Sequence, residues 1–199
     1  NNITHINGNL IINNLENLVS LIGLESIDSI DNKLQINGCD RLKSFVGLAN
    51  NIYLKSLELR DNDSLLTISN LIHFNGIDRI YISENDRLVS LNGFENVEKL
   101  YRITIEGNSS LANLNSFTNL DVVTGPVNIE NNESLTSFSG FMDLDSIYGH
   151  LFIENNALIT DMSGFDNLVF IGDRCQIWNN ENLVSLNGFD NLKTLTMGL

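Results

Sequence analysis

The fold is decided by residues 127–141, Val-Asn-Ile-Glu-Asn-Asn-Glu-Ser-Leu-Thr-Ser-Phe-Ser-Gly-Phe, because their pattern returns eight times along the chain. The alternation of Val127 and Ile129 indicates a short strand with one apolar face. Self-similarity at a fixed period of 23–24 residues is typical of a solenoid of stacked repeats. The equivalent apolar pairs are Leu10/Ile12, Leu34/Ile36, Leu57/Leu59, Ile80/Ile82, Ile103/Ile105, Val127/Ile129, Leu151/Ile153 and Cys175/Ile177.

Three further positions are apolar in all eight repeats. They lie six, nine and twelve residues after the second strand residue, at Leu135, Phe138 and Phe141 in the quoted repeat. One repeat cannot bury these side chains, whereas stacked repeats join them into a continuous core. The columns are only three to six residues apart, with turn-forming residues between them, which leaves no room for a helix. The sequence therefore predicts an all-β, helix-poor solenoid.

Two polar columns accompany the apolar ones. Six of eight repeats carry Gly eleven residues after the reference position, with Asn70 and Ser116 as exceptions, which predicts a turn with positive φ. An Asn stands at the third residue in six repeats, and its amide can satisfy backbone groups of neighbouring turns. The members of this predicted ladder are Asn62, Asn85, Asn108, Asn132, Asn156 and Asn180, with Leu15 and Cys39 in the first two repeats.

The Asn ladder bears on glycosylation. Four Asn-x-Ser/Thr motifs occur, and those at Asn62, Asn108 and Asn132 fall in the ladder column, where the side chain is predicted to point inward. Asn2 is therefore the candidate acceptor.

We expect residues 1–199 to form a single repeat solenoid. Residues 1–9 complete a preceding rung, eight repeats run from about 10 to 198, and a ninth strand begins at Leu199. Neither end shows a polar cap, so we expect the sequence to be a segment of a longer protein. The two cysteines, Cys39 and Cys175, both occupy inward columns. They are separated by six rungs, roughly 29 Å, which is too far for a disulfide.

Composition excludes several functions. The net charge of −14 argues against nucleic acid and against anionic membrane surfaces. No apolar stretch approaches the ~20 residues that a membrane span needs, so we predict no membrane insertion. The three histidines, His5, His73 and His150, have no metal-ligand spacing, and no phosphate loop or nucleophile motif is present. We therefore predict neither an enzyme nor a cofactor.

The candidate binding site is the exposed face of the strands, where alternate residues point outward. It combines a basic edge, a mixed centre with aromatic residues, and an acidic edge. Aromatic residues and Arg are enriched at interface hot spots. The alternative is a solvated sheet on which Arg102 offsets Glu106. The candidate residues are Arg79, Tyr81, Arg102, Glu106, Glu130, His150, Phe152, Glu154, Arg174 and Trp178.

Three like charges stand out on this face. In-register strands would place Glu106, Glu130 and Glu154 ~4.8 Å apart, where like charges destabilise the sheet. Either the Arg column or a cation or basic partner must compensate. Calcium is one possibility, although three side chains in a line do not wrap an ion.

The repeat resembles the leucine-rich repeat class. Leu57-Glu-Leu59-Arg-Asp-Asn62 matches L-x-L-x-x-N, and the unit from Gly149 through Asn156 to Ile171 is similar to the receptor L domain. This resemblance implies a right-handed β-solenoid. In insulin- and epidermal-growth-factor-type receptors this module binds extracellular ligands, and in fungal relatives it belongs to anchored wall proteins. The sequence lacks the disulfide-braced ends of the animal receptors, which favours a microbial or protist surface protein.

These observations predict a non-catalytic binding or adhesion module that is extracellular or on the cell surface. Its partner would be a protein or a glycan, bound through the strand face. The alternative is a structural spacer or assembly unit of a cell wall, sheath or surface filament, in which the chain self-assembles.

Overall fold

The computed structural model describes residues 3–49, 51–68 and 73–197. The candidate acceptor Asn2 and the predicted start of a ninth strand at Leu199 lie outside these residues, as do Asn70 and Leu71 in the repeat columns.

The strands of each repeat stack in parallel on those of the next, as the repeat predicts. Among the described residues the main sheet contains ten strands: β1 (His5–Ile6), β2 (Leu10–Asn13), β3 (Ser29–Asn37), β4 (Asn51–Arg60), β5 (His73–Asn75), β6 (Arg79–Ser83), β8 (Arg102–Glu106), β10 (Val127–Glu130), β12 (Leu151–Glu154) and β14 (Cys175–Trp178). Their order in the sheet is β1-β3-β4-β6-β8-β10-β12-β14, with β2 beside β3 and β5 beside β4.

A second parallel sheet forms another side of the coil. It consists of five two-residue strands: β7 (Lys99–Leu100), β9 (Val122–Val123), β11 (Ser146–Ile147), β13 (Phe170–Ile171) and β15 (Thr194–Leu195). In β3 and β4 the corresponding segment is continuous with the main strand, whereas β1 and β5 are separate strands of the same main sheet. β3 has nine residues and runs from one side of the coil to the other, and its register shifts between Ile30 and Lys33. The two sides of the coil therefore belong to one sheet near the amino terminus and to two separate sheets from β7 onward.

The register is the one that the repeat predicts. Val127 aligns with Ile103 on one side and with Leu151 on the other, and Ile129 aligns with Ile105 and Ile153. In these two inward columns every side chain from Leu34 to Cys175 is fully buried. The core is therefore a bundle of ladders, each made of one residue per repeat.

Stacked phenylalanines form the most regular ladder. Phe94, Phe117, Phe141 and Phe165 stack with ring centroids 5.2 to 5.5 Å apart and near-parallel planes. Phe189 continues the stack at 5.7 Å with a tilted ring. Phe74, which lies outside the predicted column, extends it at the other end, 4.7 Å from Phe94.

Two single turns of 3₁₀ helix, η1 (Asn115–Phe117) and η2 (Ser139–Phe141), are the helical elements among the described residues. They correct one prediction. Gly23, Gly47, Gly93, Gly164 and Gly188 have φ between +99° and +114°, as predicted, but Gly140 lies in η2 without a positive φ. Gly140 is required for a different reason, since a Cβ there would collide with the carbonyl oxygen of Leu114 in the preceding repeat.

The Asn ladder is confirmed. The Oδ1 of Asn132 accepts from the backbone N–H of Asn108 at 3.2 Å, and its Nδ2 donates to the carbonyl of Ile105 at 3.0 Å. The same bonds recur from Asn62 to Asn180, and all six side chains are buried. The motifs at Asn62, Asn108 and Asn132 therefore point inward, where a glycosyl-transferring enzyme cannot reach them.

A left-handed turn precedes each ladder residue, a feature that the sequence analysis missed. The residue two after the strand reference position has φ between +54° and +66° in all eight repeats. Asn, Asp and Gly tolerate this conformation, and their enrichment in the column was the available signal. The column holds Asn14, Gly38, Asp61, Glu84, Gly107, Asn131, Asn155 and Asn179.

Candidate functional site

The outward residues of the main sheet lie in three parallel columns, because every strand presents the same positions in the same register. Arg79 aligns with Arg102 in the first column, and Tyr81 aligns with Thr104 in the second. Phe152 aligns with Asn128 and Gln176 in the second. Most of these side chains are half-buried or exposed. The structure thus places the predicted candidate residues on one surface, which we call the strand face.

Two outward residues are more covered than the alternation predicts. Thr104 is 8% exposed and Ser83 is 1% exposed. Both are small residues with larger neighbours in register, Tyr81 beside Thr104 and Arg60 and Glu106 beside Ser83. Long side chains on adjacent strands therefore close over short ones.

The basic edge contains cations in two different states. The guanidinium of Arg79 forms an ion pair with Asp78 at 3.4 Å and lies 4.7 Å from the ring centroid of Tyr101. Arg102 and Arg174 are exposed, and neither forms an ion pair among the described residues. The pairing of Arg102 with Glu106, which would offset the acidic edge, is thus not formed.

His150 and Phe152 form an aromatic pair at the centre of the face. Their rings stack with centroids 3.9 Å apart and planes inclined by 19°. The Nε2 of His150 lies 2.8 Å from the Oδ1 of Asn128, which fixes the ring when Nε2 carries the proton. Burial lowers the pKa of His150, and the charges of Arg102 and Arg174 lower it further against the opposing effect of Asp173. At neutral pH His150 is therefore a neutral aromatic surface.

The acidic edge is a row of three glutamates in strict register. Glu130 pairs with Glu106 on one neighbouring strand and with Glu154 on the other. Burial raises the pKa of Glu130, as do the charges of Glu106 and Glu154, while a hydrogen bond to Asn128 lowers it. Within the described residues no group of three His, Cys, Asp or Glu side chains is arranged to hold a metal ion, and this includes the row. The calcium hypothesis therefore has no geometric support.

Trp178 ends the acidic row. It aligns with Glu154, and its side chain is 48% exposed on the last strand of the main sheet. An exposed indole beside a carboxylate offers a cation both a ring face and a charge partner.

The earlier strands carry the same columns with different chemistry. Lys33 forms an ion pair with Glu58 at 2.7 Å, and Arg60 pairs with Glu84 through two hydrogen bonds of 3.2 and 3.4 Å. The charges that these strands contribute to the outward columns are therefore paired within the protein. The unpaired part of the strand face lies on β8 to β14.

A Ser–His–Asp cluster on the first strands also escaped the sequence analysis. The Nδ1 of His5 contacts the hydroxyl of Ser29, and its Nε2 lies 3.2 Å from a carboxylate oxygen of Asp31. Catalytic triads bury the carboxylate and position it against the imidazole away from solvent. Here the His5 and Asp31 side chains are about half exposed, so we assign the cluster to the stacking of β1 on β3.

A second acidic cluster lines a shallow cavity near the second sheet. Glu98, Asp121 and Asp143 contribute carboxylates, and Asn119 and Asn167 complete the lining. Asn119 and Asn167 donate to carbonyls of the preceding repeat, at Glu95 and Met142. This cluster provides a comparison for the acidic row on the strand face.

Among the described residues, no helix is long and apolar enough to cross a membrane.

The comparisons with known proteins agree with this architecture. Residues 95–171 match the family model of the Receptor L domain, and this segment contains Arg102, the glutamate row, His150 and Phe152. Searches of curated proteins and of solved structures gave no match to the chain. The chain thus folds as a β-solenoid of stacked parallel strands, of which residues 95–171 are similar to the Receptor L domain.

Proposed function

We propose that the chain is a non-catalytic extracellular binding or adhesion module, whose protein or glycan partner contacts the strand face. The observation that carries this proposal is the contrast between repeated and unrepeated residues. The inward apolar columns keep the same chemistry in every repeat, whereas β8 to β14 present Arg102, the His150–Phe152 pair and Trp178 outward without ion-pair partners among the described residues.

The match to a receptor domain supports a ligand-binding role, and the physical chemistry of the face supports its location. Half-buried aromatic rings give a partner apolar area at low entropic cost, and Arg supplies several donors in a fixed geometry. Because His150 is neutral at neutral pH, the stacked pair acts there as one extended aromatic surface. A partner that covers Phe152 and Trp178 would also contact the two unpaired arginines.

Mutation of the aromatic residues tests this proposal. The double variant Phe152→Ala/Trp178→Ala should lose binding to arrayed glycans and receptor ectodomains that the wild type binds, while its circular dichroism spectrum and melting remain those of the parent. Tyr148→Ala is the matched control. Tyr148 lies four residues before Phe152, is 57% exposed, and contacts Phe170 away from the strand face.

The outcomes separate the two functions that the sequence left open. Binding that is lost in the double variant and kept in Tyr148→Ala supports the binding module. If the double variant binds as well as the wild type, the strand face is not the site, and the structural spacer or assembly unit is favoured instead.

A further inference from the structure

The acidic row of the strand face has no ion-pair partner among the described residues. Glu106, Glu130 and Glu154 follow one another on three adjacent strands, whose separation in a β-sheet is ~4.8 Å. The guanidinium of Arg60, two strands from Glu106, already pairs with Glu84. Three carboxylates at this spacing repel one another, so a sheet that keeps them is less stable than one that pairs them.

A second, independent feature marks the same column. Ser83 precedes Glu106 in register, its side chain is buried, and its Oγ has no hydrogen-bond partner. Only one other buried polar side-chain atom among the described residues is unpartnered, the Oδ1 of Asn37, and Asn37 precedes Arg60 in this column. Unpartnered buried polar atoms are rare in native proteins. Ser83 adjoins Glu106 directly, and its unpartnered hydroxyl therefore indicates that a polar group from outside the chain completes this end of the row.

The charge of the surroundings fixes the chemistry of those groups. After Arg102 the sequence contains twelve acidic residues and two basic ones, Arg174 and Lys193. A neutral glycan would leave the repulsion along the row unrelieved, and nucleic acid would increase it. A single metal ion needs ligands that surround it, which residues in single file do not provide.

Trp178 extends the same argument to the end of the row. A Lys or Arg side chain placed against Glu154 would lie beside the exposed indole, where the ring face attracts a cation. The protein already contains one such contact, between Arg79 and Tyr101.

We propose that the partner of the strand face is a protein segment rich in Lys and Arg, which crosses the strands along Glu106, Glu130, Glu154 and Trp178. This inference rests on the proposed function and names the class of partner for that face. The basic side chains neutralise the row, and a polar group of the segment bonds to the Ser83 hydroxyl once the Glu106 side chain that covers it turns toward the segment.

The test compares two triple variants that remove equal charge. The probe is a fluorescein-labelled peptide of alternating Lys and Ala, followed by fluorescence anisotropy, with a Glu-Ala peptide as the negative probe. Glu106→Gln/Glu130→Gln/Glu154→Gln should weaken binding of the basic peptide about tenfold, or about 1.4 kcal/mol. The control Glu98→Gln/Asp121→Asn/Asp143→Asn removes the second acidic cluster and should change binding by at most about twofold, or about 0.4 kcal/mol.

Three outcomes would overturn the inference. Equal losses in the two triple variants would mean that net charge alone attracts the peptide. The absence of binding by the wild type would mean that the row accepts no basic segment. Concentration-dependent dimers in sedimentation that the Gln variant abolishes would identify a second copy of the chain as the occupant.

Failure of this inference is distinguishable from failure of the proposed function. If a glycan or ectodomain still depends on Phe152 and Trp178 while the basic peptide does not bind, the binding module stands and only the class of partner is wrong. If neither probe depends on the strand face, both proposals fail.

Discussion

The first four repeats and the last four share one core but differ on their surfaces. All four ion pairs of the described residues lie between His5 and Glu84. The later strands keep their Arg and Glu side chains unpaired, and their Asn ladder and Phe stack are complete. The difference shows that regular packing inside the coil does not depend on charge pairing outside it. A solenoid can therefore vary its outward columns while the inward ones remain fixed.

The two halves also differ in the residue that occupies the position of the Asn ladder. In the later repeats Asn supplies both an acceptor and a donor, whereas Cys39 stands at this position in the second repeat and is fully buried. The backbone N–H of Leu15 donates to the Cys39 thiol, which faces the carbonyls of Ile12 and Asn37 at 3.9 and 3.7 Å. Cys39 therefore makes weaker versions of the contacts that Asn makes elsewhere.

The largest predicted effect is on the Phe stack of the later half. Phe117→Ala removes a fully buried ring between Phe94 and Phe141 and should lower the free energy of unfolding by about 3–5 kcal/mol, since it leaves a cavity and breaks two ring contacts. Urea unfolding measures the loss. Met142→Ala, at an exposed position, should change stability by less than about 0.5 kcal/mol. If Phe117→Ala lost as little stability as Met142→Ala, the Phe stack would not stabilise the fold as predicted.

The next effect is on the Asn ladder. Asn132→Ala should cost about 3 kcal/mol, because it strands the backbone N–H of Asn108 and the carbonyl of Ile105 in the core. Chemical denaturation again provides the measurement, and amide hydrogen exchange should locate the weakened turn at Asn108. Glu133→Gln, on the exposed side of the same turn, is the control. Unchanged exchange at Asn108 would contradict the assigned bond.

A smaller effect is expected where the earlier half departs from the ladder. Cys39→Asn should stabilise the protein by about 0.5–1.5 kcal/mol, because the amide can replace weak thiol contacts with normal hydrogen bonds. The reciprocal Asn132→Cys should destabilise by more than Cys39→Asn stabilises, since it substitutes the weaker group in the middle of the ladder. Thermal melting of both variants gives the comparison. Destabilisation by Cys39→Asn would mean that the second repeat lacks space for the amide.

The smallest effect is the pH dependence of the acidic row. The pKa of Glu130 is raised above its ordinary value of 4.5, so the folded state binds a proton more tightly than the unfolded state does. The stability that protonated Glu130 contributes is therefore lost as the pH rises from 4.5 through the higher pKa of the folded state. At pH values above the folded-state pKa, where Glu130 is charged, Glu130→Gln should stabilise the protein by about a few tenths of a kcal/mol. Below about pH 4, where Glu130 is protonated in both states, it should have no effect. Melting against pH measures this, and a constant gain at all pH values would show that repulsion is not the cause.

How far the sequence predicted the structure depended on whether a residue repeats. The strand pairs, the Asn ladder and most of the three apolar columns were predicted residue by residue, because eight copies of a pattern must stack in one register to bury their apolar side chains. Leu186, in the last repeat, is an exception, since it is 50% exposed. The left-handed column from Asn14 to Asn179 carried the same kind of signal and was missed. Gly140 was assigned the wrong reason, since contact between adjacent turns rather than φ requires it.

The candidate site was predicted only as a set of columns. Alternation along the strand placed Arg102, Phe152 and Glu130 on one face without showing which charges pair. Whether Arg102 reaches Glu106, or Lys33 reaches Glu58, depends on the rotamers of long side chains and on the neighbours that cover them. The same dependence on neighbouring side chains explains three further features: the burial of Ser83, the stack of His150 on Phe152 and the inclusion of Phe74 in the core.

The sequence by itself determined the period, the register and the identity of the core, because each is imposed by a repeat that must match its own copies. The tertiary structure decided which outward charges are satisfied and which are not, because that depends on contacts between residues that do not repeat. It paired the column charges of the earlier strands internally and left Arg102, Arg174 and the row from Glu106 to Glu154 without ion-pair partners among the described residues. The asymmetry of the strand face follows from this difference.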